Sequence, residues 1–214
     1  MVDSSFHTGE AGIQVPSRVL DTDFRRYGHA EREVLKVVDK IELTDGHILL
    51  RPYQLSDIDR LYGAVCESIP EVGAWMDWCH YGYSVEESRT LVEARQEKWE
   101  QGISYDFSMV DPRDGSYLGG CGINAIRGDH EFANLGYWVR TNRTRRGVAT
   151  AATLLLARFG FDELKLNRIE IVVDVDNKAS QRVAQKAGAA REGVLRNRLI
   201  LNGKPSDAVM VSLL

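Results

Sequence analysis

Between Phe132 and Val173 the apolar pattern of the chain changes period twice. Phe132 to Val139 reads as a strand, Val148 to about Leu164 as a long apolar helix, and Ile169-Glu170-Ile171-Val172-Val173 as a buried strand. Two strands joined by such a helix are expected as parallel neighbours in one sheet, linked by a right-handed crossover. Just upstream the pattern is different. Tyr105 to Val110 and Tyr117 to Ile126 flank Asp114-Gly115, a strong hairpin dipeptide, and Arg127-Gly128-Asp129 turns the chain into Phe132. That is an antiparallel meander. An antiparallel meander running into a parallel crossover restricts the chain to a mixed sheet with helices against it, an α/β (α+β mixed) fold.

The remaining elements fill in around this frame. Gly46 opens a strand over Ile48-Leu49-Leu50-Arg51-Pro52-Tyr53. Ser56 with Asp59 marks a helix start, and Ile58, Leu61, Tyr62, Val65 and Ile69 form one apolar face that is expected to end before Pro70. Ser84 with Glu87 is a capping-box pattern for a second helix, with Leu91, Val92 and Trp99 on its apolar stripe and Gly102 after its end. Asn177 to Ala187 is a helix stopped by Gly188, and Asp207 to Leu214 is a final strand. The order β-α-α-β-β-β-α-β-α-β-β implies a sheet of about seven strands. Residues 1–38 have poor apolar periodicity and read as an N-terminal extension, mobile or packed on a partner, before a single domain over 39–214.

Composition narrows the function classes. The 214 residues carry a formal net charge of −4, which argues against direct nucleic-acid binding as the main role. No run approaches the roughly 20 apolar residues of a membrane helix. Met1 to Glu10 is polar and acidic, unlike a secretory leader, so a cytoplasmic location without membrane partners is expected. Cys66, Cys79 and Cys121 are odd in number and widely spaced, which fits buried reduced thiols. Cys79 beside His80 has no second ligand pair, so no metal is expected.

The chemistry concentrates where the third meander strand meets the long helix: Gly136-Tyr137-Trp138-Val139-Arg140-Thr141-Asn142-Arg143-Thr144-Arg145-Arg146-Gly147-Val148-Ala149-Thr150. Four arginines crowd a loop that enters a helix N-terminus. Gly147 permits close backbone approach there, and Ala149 keeps the first turn uncrowded. Free N–H groups and the helix dipole favour an anion, so the segment reads as a phosphate or pyrophosphate cradle. It is not a Walker loop, because the only Gly-Lys is followed by Pro205. Gly120-Cys121-Gly122-Ile123-Asn124-Ala125 fits a loose GxGxxA but leads into a strand and a turn, not a helix. Those glycines are expected to mark a twisted or bulged strand with something packed close against it.

Thr144-Arg145-Arg146-Gly147-Val148-Ala149-Thr150 resembles the [Q/R]xxGx[G/A] acetyl-CoA motif of the GNAT acetyltransferases. Asn177-Lys178-Ala179-Ser180 followed by Lys186-Ala187-Gly188-Ala189-Ala190-Arg191-Glu192-Gly193 is similar to the NxxS…GFxxEG signature of the ribosomal-protein amino-terminal acetyltransferase (RimJ/RimL) branch. Leu50-Arg51-Pro52, Trp75-Met76-Asp77-Trp78 and Leu201-Asn202-Gly203-Lys204-Pro205-Ser206-Asp207 resemble that branch's opening strand, tryptophan segment and closing hairpin. The motifs run in the right order over about residues 41–214. The resemblance implies a GNAT-type domain whose sheet is splayed like a V, with acetyl-CoA as co-substrate in the V.

On that resemblance, the N–H groups of Arg145, Arg146, Gly147, Val148, Ala149 and Thr150 would hold the pyrophosphate. Tyr137 to Val139, with Trp138 and Val139 as backbone contacts, would pair with pantetheine and supply an oxyanion donor. Asn177 would orient the cofactor arm, and Ser180 would hydrogen-bond the departing thiolate; both residue types also cap helices. Trp75, Asp77, Trp78, Asn134 and Tyr137 would face the acceptor, the tryptophans being equally suited to a core. A neutral primary amine would attack the thioester carbonyl through a tetrahedral intermediate, with a base removing its proton. Here the chain departs from the branch. Asn134 stands where a glutamate is common, Leu199 where some members carry a glutamate base, Thr144 for Gln or Arg, and Ala189 for Phe. Asp174, Asp77 or a water chain could serve as base instead. The expected function is acetyl transfer from acetyl-CoA to a primary amine, such as a protein N-terminus. A small-molecule amine, or a non-catalytic acyl-CoA-binding module, are the alternatives. Exposed apolar faces would support a homodimer.

Overall fold

The structure is a computed structural model that describes residues 41–214; the expected extension over 1–38 lies outside the described residues. The first apolar alternation gives β1 (Leu43–Thr44) and β2 (Leu49–Pro52), and a 3-10 turn (Leu55–Asp57) leads into α1 (Ile58–Val72). Then come α2 (Val85–Glu100), β3 (Tyr105–Val110), β4 (Tyr117–Arg127), β5 (Phe132–Val139) and a second 3-10 turn (Thr141–Arg143). The chain continues as α3 (Val148–Asp162), β6 (Arg168–Asp174), α4 (Lys178–Lys186), β7 (Ala190–Leu201) and β8 (Lys204–Leu213).

The strands form one sheet in the order β1-β2-β3-β4-β5-β6-β8-β7. All neighbours are antiparallel except β5 and β6, the pair joined by the α3 crossover. The parallel pairing is short. It covers Phe132↔Arg168, Ala133↔Ile169 and Asn134↔Glu170 and then stops. From Leu135 to Val139 β5 keeps its pairing with β4 but has no partner on its other edge, and from Ile171 onward β6 pairs with β8. The two strands part and leave a V.

The two sheet faces are covered separately. Leu50, Phe107, Met109, Ile123, Leu135 and Ile169 meet Ala152, Leu156 and Phe159 of α3 in the larger core. Tyr53, Ile58, Leu61, Val65, Val92, Tyr117 and Trp138 form a second core under α1 and α2. Each fully buried aliphatic or aromatic side chain in these layers contributes roughly 1.5–3 kcal/mol.

Two boundaries differ from the sequence reading. Helix α1 runs through Pro70 to Val72. Proline there removes one N–H from the last turn only, and Gly73 still donates to the Ile69 carbonyl at 3.0 Å. The last strand begins at Lys204, not Asp207. Asn202 (φ 49°) and Gly203 (φ 72°) make the tight two-residue turn, so pairing with β7 resumes at once. The two-residue β1 was not anticipated. The glycine strand behaves as expected: a Cβ on Gly119 or Gly120 would collide with the Trp138 carbonyl or the Tyr53 hydroxyl.

Candidate active site

The entry to α3 is built from backbone. Gly147 takes the N-cap position with φ 81°, a conformation that glycine adopts without strain, and no side chain caps the helix. Arg145 is also left-handed, at φ 61°. Arg143 and Thr144 donate their N–H groups to Arg140 and Thr141, and the next backbone donor with an acceptor is Ala151, to Gly147. The N–H groups of Arg145 through Thr150 find no acceptor among the described residues. Arg145, Arg146 and Gly147 are exposed. Six free donors at the positive end of a 15-residue helix, flanked by two guanidinium groups, are a candidate anion site.

The four arginines of this loop do not act together. Arg140 donates through Nε (2.9 Å) and Nη2 (2.6 Å) to Glu67 of α1. The same carboxylate accepts from Asn142 N and Nδ2, both at 3.1 Å. Thr141 N donates to Ser68 Oγ at 3.1 Å, and Thr141 Oγ1 to Glu71 at 3.0 Å. Arg140 is therefore a latch that holds the loop to α1, and Glu71 is its second clasp. Arg143 lies close enough to Asp111 and Asp114 of the β3–β4 hairpin to act on their charges. Only Arg145 and Arg146 remain for the helix N-terminus.

Across the V, Asn177 caps α4: its Oδ1 accepts from Ser180 N at 3.0 Å. Capping is thus its observed role. Ser180 Oγ shares a 2.9 Å hydrogen bond with the Tyr137 hydroxyl, which also donates to the Ser180 carbonyl at 3.1 Å. Burial raises the pKa of the Tyr137 phenol, and the bond to Ser180 offsets part of that rise, so the pair stays neutral and able to donate.

The expected acceptor residues separate. Tyr137 and Trp138 are neighbours in a strand and point to opposite faces. Tyr137 joins the α3 side and Ser180, so it does not line a surface with the tryptophans. Trp138 is buried under α1 and α2, with Trp78 edge-on at 5.4 Å between centroids. Trp138 and Val139 can therefore meet a ligand in the V through backbone. Trp75 is half-buried in the turn after α1. Asn134 donates to Asn124 Oδ1 at 3.1 Å.

The substitute bases fare poorly. Asp174 is buried and accepts from Asp176 N and Ser206 Oγ. Asp77 accepts from Asn202 N at 2.9 Å, pinning the β7–β8 turn. Leu199 lies on β7 opposite Ser206. Burial pushes the Cys79 thiol up to about 11 and raises the Cys121 thiol further still, which disfavours their thiolates. Among the described residues no three His, Cys, Asp or Glu side chains are placed to hold a metal, and no helix is long and apolar enough to cross a membrane.

Comparison with known proteins identifies the family. The profile of the acetyltransferase (GNAT) domain matches residues 47–190. The uncharacterized N-acetyltransferase YoaA of Bacillus subtilis (strain 168) is 31% identical over 179 residues, covering 80% of this chain and 95% of that protein. The ribosomal-protein-serine acetyltransferase of Escherichia coli (strain K12) is 24% identical over 175 residues, covering 82% and 93%. Mycobacterium smegmatis RimJ in complex with CoA-disulfide superposes with a TM-score of 0.72 at 25% identity, covering 80% of this chain and 84% of that one. A bare-backbone anion site beside a split parallel pair, and a family profile spanning most of the fold, lead to one assignment: the chain belongs to the GNAT acetyltransferase family and is an acyltransferase related to ribosomal-protein acetyltransferases.

Proposed function

We propose that this protein moves an acetyl group from acetyl-CoA to a primary amine, a protein N-terminus or a small-molecule amine. The observation that carries the reading is the run of unpaired N–H groups from Arg145 to Thr150, opening onto the unpartnered edge of β5. The pyrophosphate would sit on that helix N-terminus, with Arg145 and Arg146 adding charge. The pantetheine would extend along β5 as an added strand. Arg140 N–H donates to the Leu118 carbonyl of β4. By the two-residue alternation, the N–H groups of Tyr137 and Val139 face the open edge, where either could hold the thioester oxygen as charge develops. The Ser180–Tyr137 hydroxyl pair, across the same opening, would donate to the departing thiolate. The RimJ relative, solved with a CoA-disulfide, supports a ligand of this class.

The test is calorimetric titration with acetyl-CoA, beside dephospho-CoA and ATP, on the wild-type chain and Gly147→Asp. A Cβ at 147 meets open space, so the variant can fold, but it places a carboxylate in the cradle at a left-handed φ. Micromolar acetyl-CoA binding is expected, weakened at least about fivefold in the variant, since like charges in contact near a protein surface cost on the order of 1–4 kcal/mol. No acetyl-CoA binding by the wild type would overturn the reading. A second reading, an acyl-CoA-binding module without turnover, is favoured by Asn134 and Leu199, which lack a carboxylate. Tight binding with no thiol release across a panel of amines would select it.

A further inference from the structure

The sheet face beneath α1 and α2 carries a row of residues that no motif singles out. The strand register aligns Asp106 of β3, Gly122 of β4 and Gly136 of β5 directly across three strands. Nothing lies within 4 Å of where a Gly136 Cβ would be, so the sheet surface beside the V is open at this point. At Gly122 a Cβ would lie 2.5 Å from Asp106 Oδ1. The carboxylate therefore leans across β4 toward β5, and only glycine leaves room for it. Adjacent strands are about 4.8 Å apart, so Oδ1 sits about one strand spacing from the space above Gly136.

Asp106 is singular in its strand. It is the half-buried member of β3, whose other five residues are buried. Its Oδ2 accepts from Ser104 Oγ at 2.8 Å, and Oδ1 has no donor among the described residues. Oδ1 is open to solvent, and so free to accept from a ligand that reaches the space above Gly136. The next row, Ser108, Gly120 and Trp138, receives a second charge. Arg95 of α2 reaches down so that Nη1 would be 3.5 Å from a Gly120 Cβ. Its guanidinium stacks on Tyr53 at 4.6 Å from the ring centroid and has no hydrogen bond or ion pair among the described residues. Burial would lower the Arg95 pKa, but the Tyr53 phenol and the Asp106 carboxylate hold it above its ordinary value.

We propose that Asp106 and Arg95 form the acceptor site: Asp106 Oδ1 receives the acceptor's ammonium and takes its proton, and Arg95 binds a carbonyl or carboxylate oxygen beside that amine. The assignment rests on the acetyl-transfer reading above. It supplies the carboxylate missing at positions 134 and 199, from β3, in the same arm of the sheet as Asn134. One proton passes from the ammonium to Asp106 and on to water. The freed lone pair forms the C–N bond to the acetyl carbon. The C–S bond breaks with its electrons on sulfur, and the second nitrogen proton ends on the thiolate through the Ser180–Tyr137 hydroxyls. The acceptor is thus an amine with a neighbouring oxygen, such as the α-amino end of a peptide. A polyamine would bring a second cation toward Arg95 and is disfavoured.

The test compares the wild type, Asp106→Asn, Arg95→Met and Gly136→Val. Acetyl-CoA affinity is read by calorimetry and transfer by thiol release, with a tripeptide amide and spermidine as acceptors. Asp106→Asn is expected to keep acetyl-CoA affinity within about twofold and to lose at least about 100-fold in kcat toward the peptide, the scale of a lost proton acceptor. Arg95→Met is expected to raise the peptide KM about tenfold, a lost charged hydrogen bond, and to leave spermidine unimproved or better used. Gly136→Val fills the open space without touching either charge, and is expected to abolish transfer with the unfolding transition intact. If Asp106→Asn does not fold, Gly136→Val carries the test. Transfer by Asp106→Asn or Gly136→Val within threefold of wild type, an unchanged peptide KM in Arg95→Met, or a preference for spermidine would overturn the proposal. A wild type that binds acetyl-CoA but acetylates no amine would overturn it too, leaving the binding-module reading. A wild type that binds no acetyl-CoA would instead remove the reading beneath both.

Discussion

Asp57 is fully buried, and its carboxylate accepts four hydrogen bonds. Arg51 donates to it twice, Nη1 at 2.7 Å and Nη2 at 2.6 Å, Ser108 Oγ once at 2.9 Å, and Gln54 N once at 3.0 Å. One carboxylate thus ties β2, β3 and the start of α1 together. Burial pushes its pKa up, but the Arg51 guanidinium and the Gln54 N–H more than offset this and hold it below the ordinary carboxylate value. A pKa lowered by folding adds stability above the unfolded value, near about 3.9, and that stability is lost as pH falls through the folded value. Asp57→Ala is expected to cost about 3–5 kcal/mol at pH 7, because it strands a buried guanidinium. In urea unfolding the gap to wild type should narrow as pH falls below about 4 and through the lowered folded value; a gap that stays constant would mean that packing, not charge, is what Asp57 supplies. The sequence pointed to a helix start at this place, through Ser56 and Asp59. It did not single out Asp57, because the feature that matters is Arg51 and Ser108 arriving from two strands. Asp106 escaped for the same reason: its meaning comes from Gly122 and Gly136 across the sheet, not from its neighbours in the chain.

At the scale of elements, local signals and distant ones part company. The cap of α2 is local, and the structure repeats it atom for atom: Ser84 Oγ accepts from Glu87 N at 3.2 Å, and Glu87 Oε2 accepts from Ser84 N at 2.9 Å. The Glu67–Arg140 latch spans 73 residues, and nothing near either residue announces it. Arginine crowding suggested that Arg140 belonged to the cradle; it belongs to α1. Two substitutions separate these roles. Ser84→Ala should cost about 1 kcal/mol of stability, a lost cap, and leave acetyl-CoA affinity unchanged. Glu67→Gln should cost about 1–3 kcal/mol, because the hydrogen bonds it weakens are charge-assisted. It should also weaken acetyl-CoA binding about threefold to tenfold, because the loop it frees carries Arg145 to Thr150 toward the ligand. Thermal unfolding and calorimetry on the same samples check both. Equal affinities in the two variants would mean that the 3-10 turn over Thr141–Arg143 holds its place without α1.

At the scale of the molecule, the mixed topology was legible because a hairpin dipeptide and a helix-length crossover leave few ways to order the strands. The splay between β5 and β6 was not legible in the residues themselves and came only with the family resemblance. No periodicity distinguishes Asn134, the last residue of β5 paired to β6, from Leu135, the first that is not. What the split does physically is leave backbone polar groups of a central strand unsatisfied, a cost that a sheet ordinarily avoids by pairing. The same groups then serve a ligand that can act as a strand. Hydrogen exchange at single amides tests this account. The N–H groups of Trp138 and Arg140 face β4, whereas those of Tyr137 and Val139 face the opening. Without ligand, Tyr137 and Val139 should exchange far faster than Trp138 although all lie in one strand. Saturating acetyl-CoA should slow them selectively, together with amides from Arg145 to Thr150, while β3 and β4 change little. Uniform slowing across the sheet would instead signal global stabilisation by mass action, with no strand-like seat for the ligand. Protection at Arg145–Thr150 without protection at Tyr137 and Val139 would confine the ligand to its phosphates and take the oxyanion role away from β5.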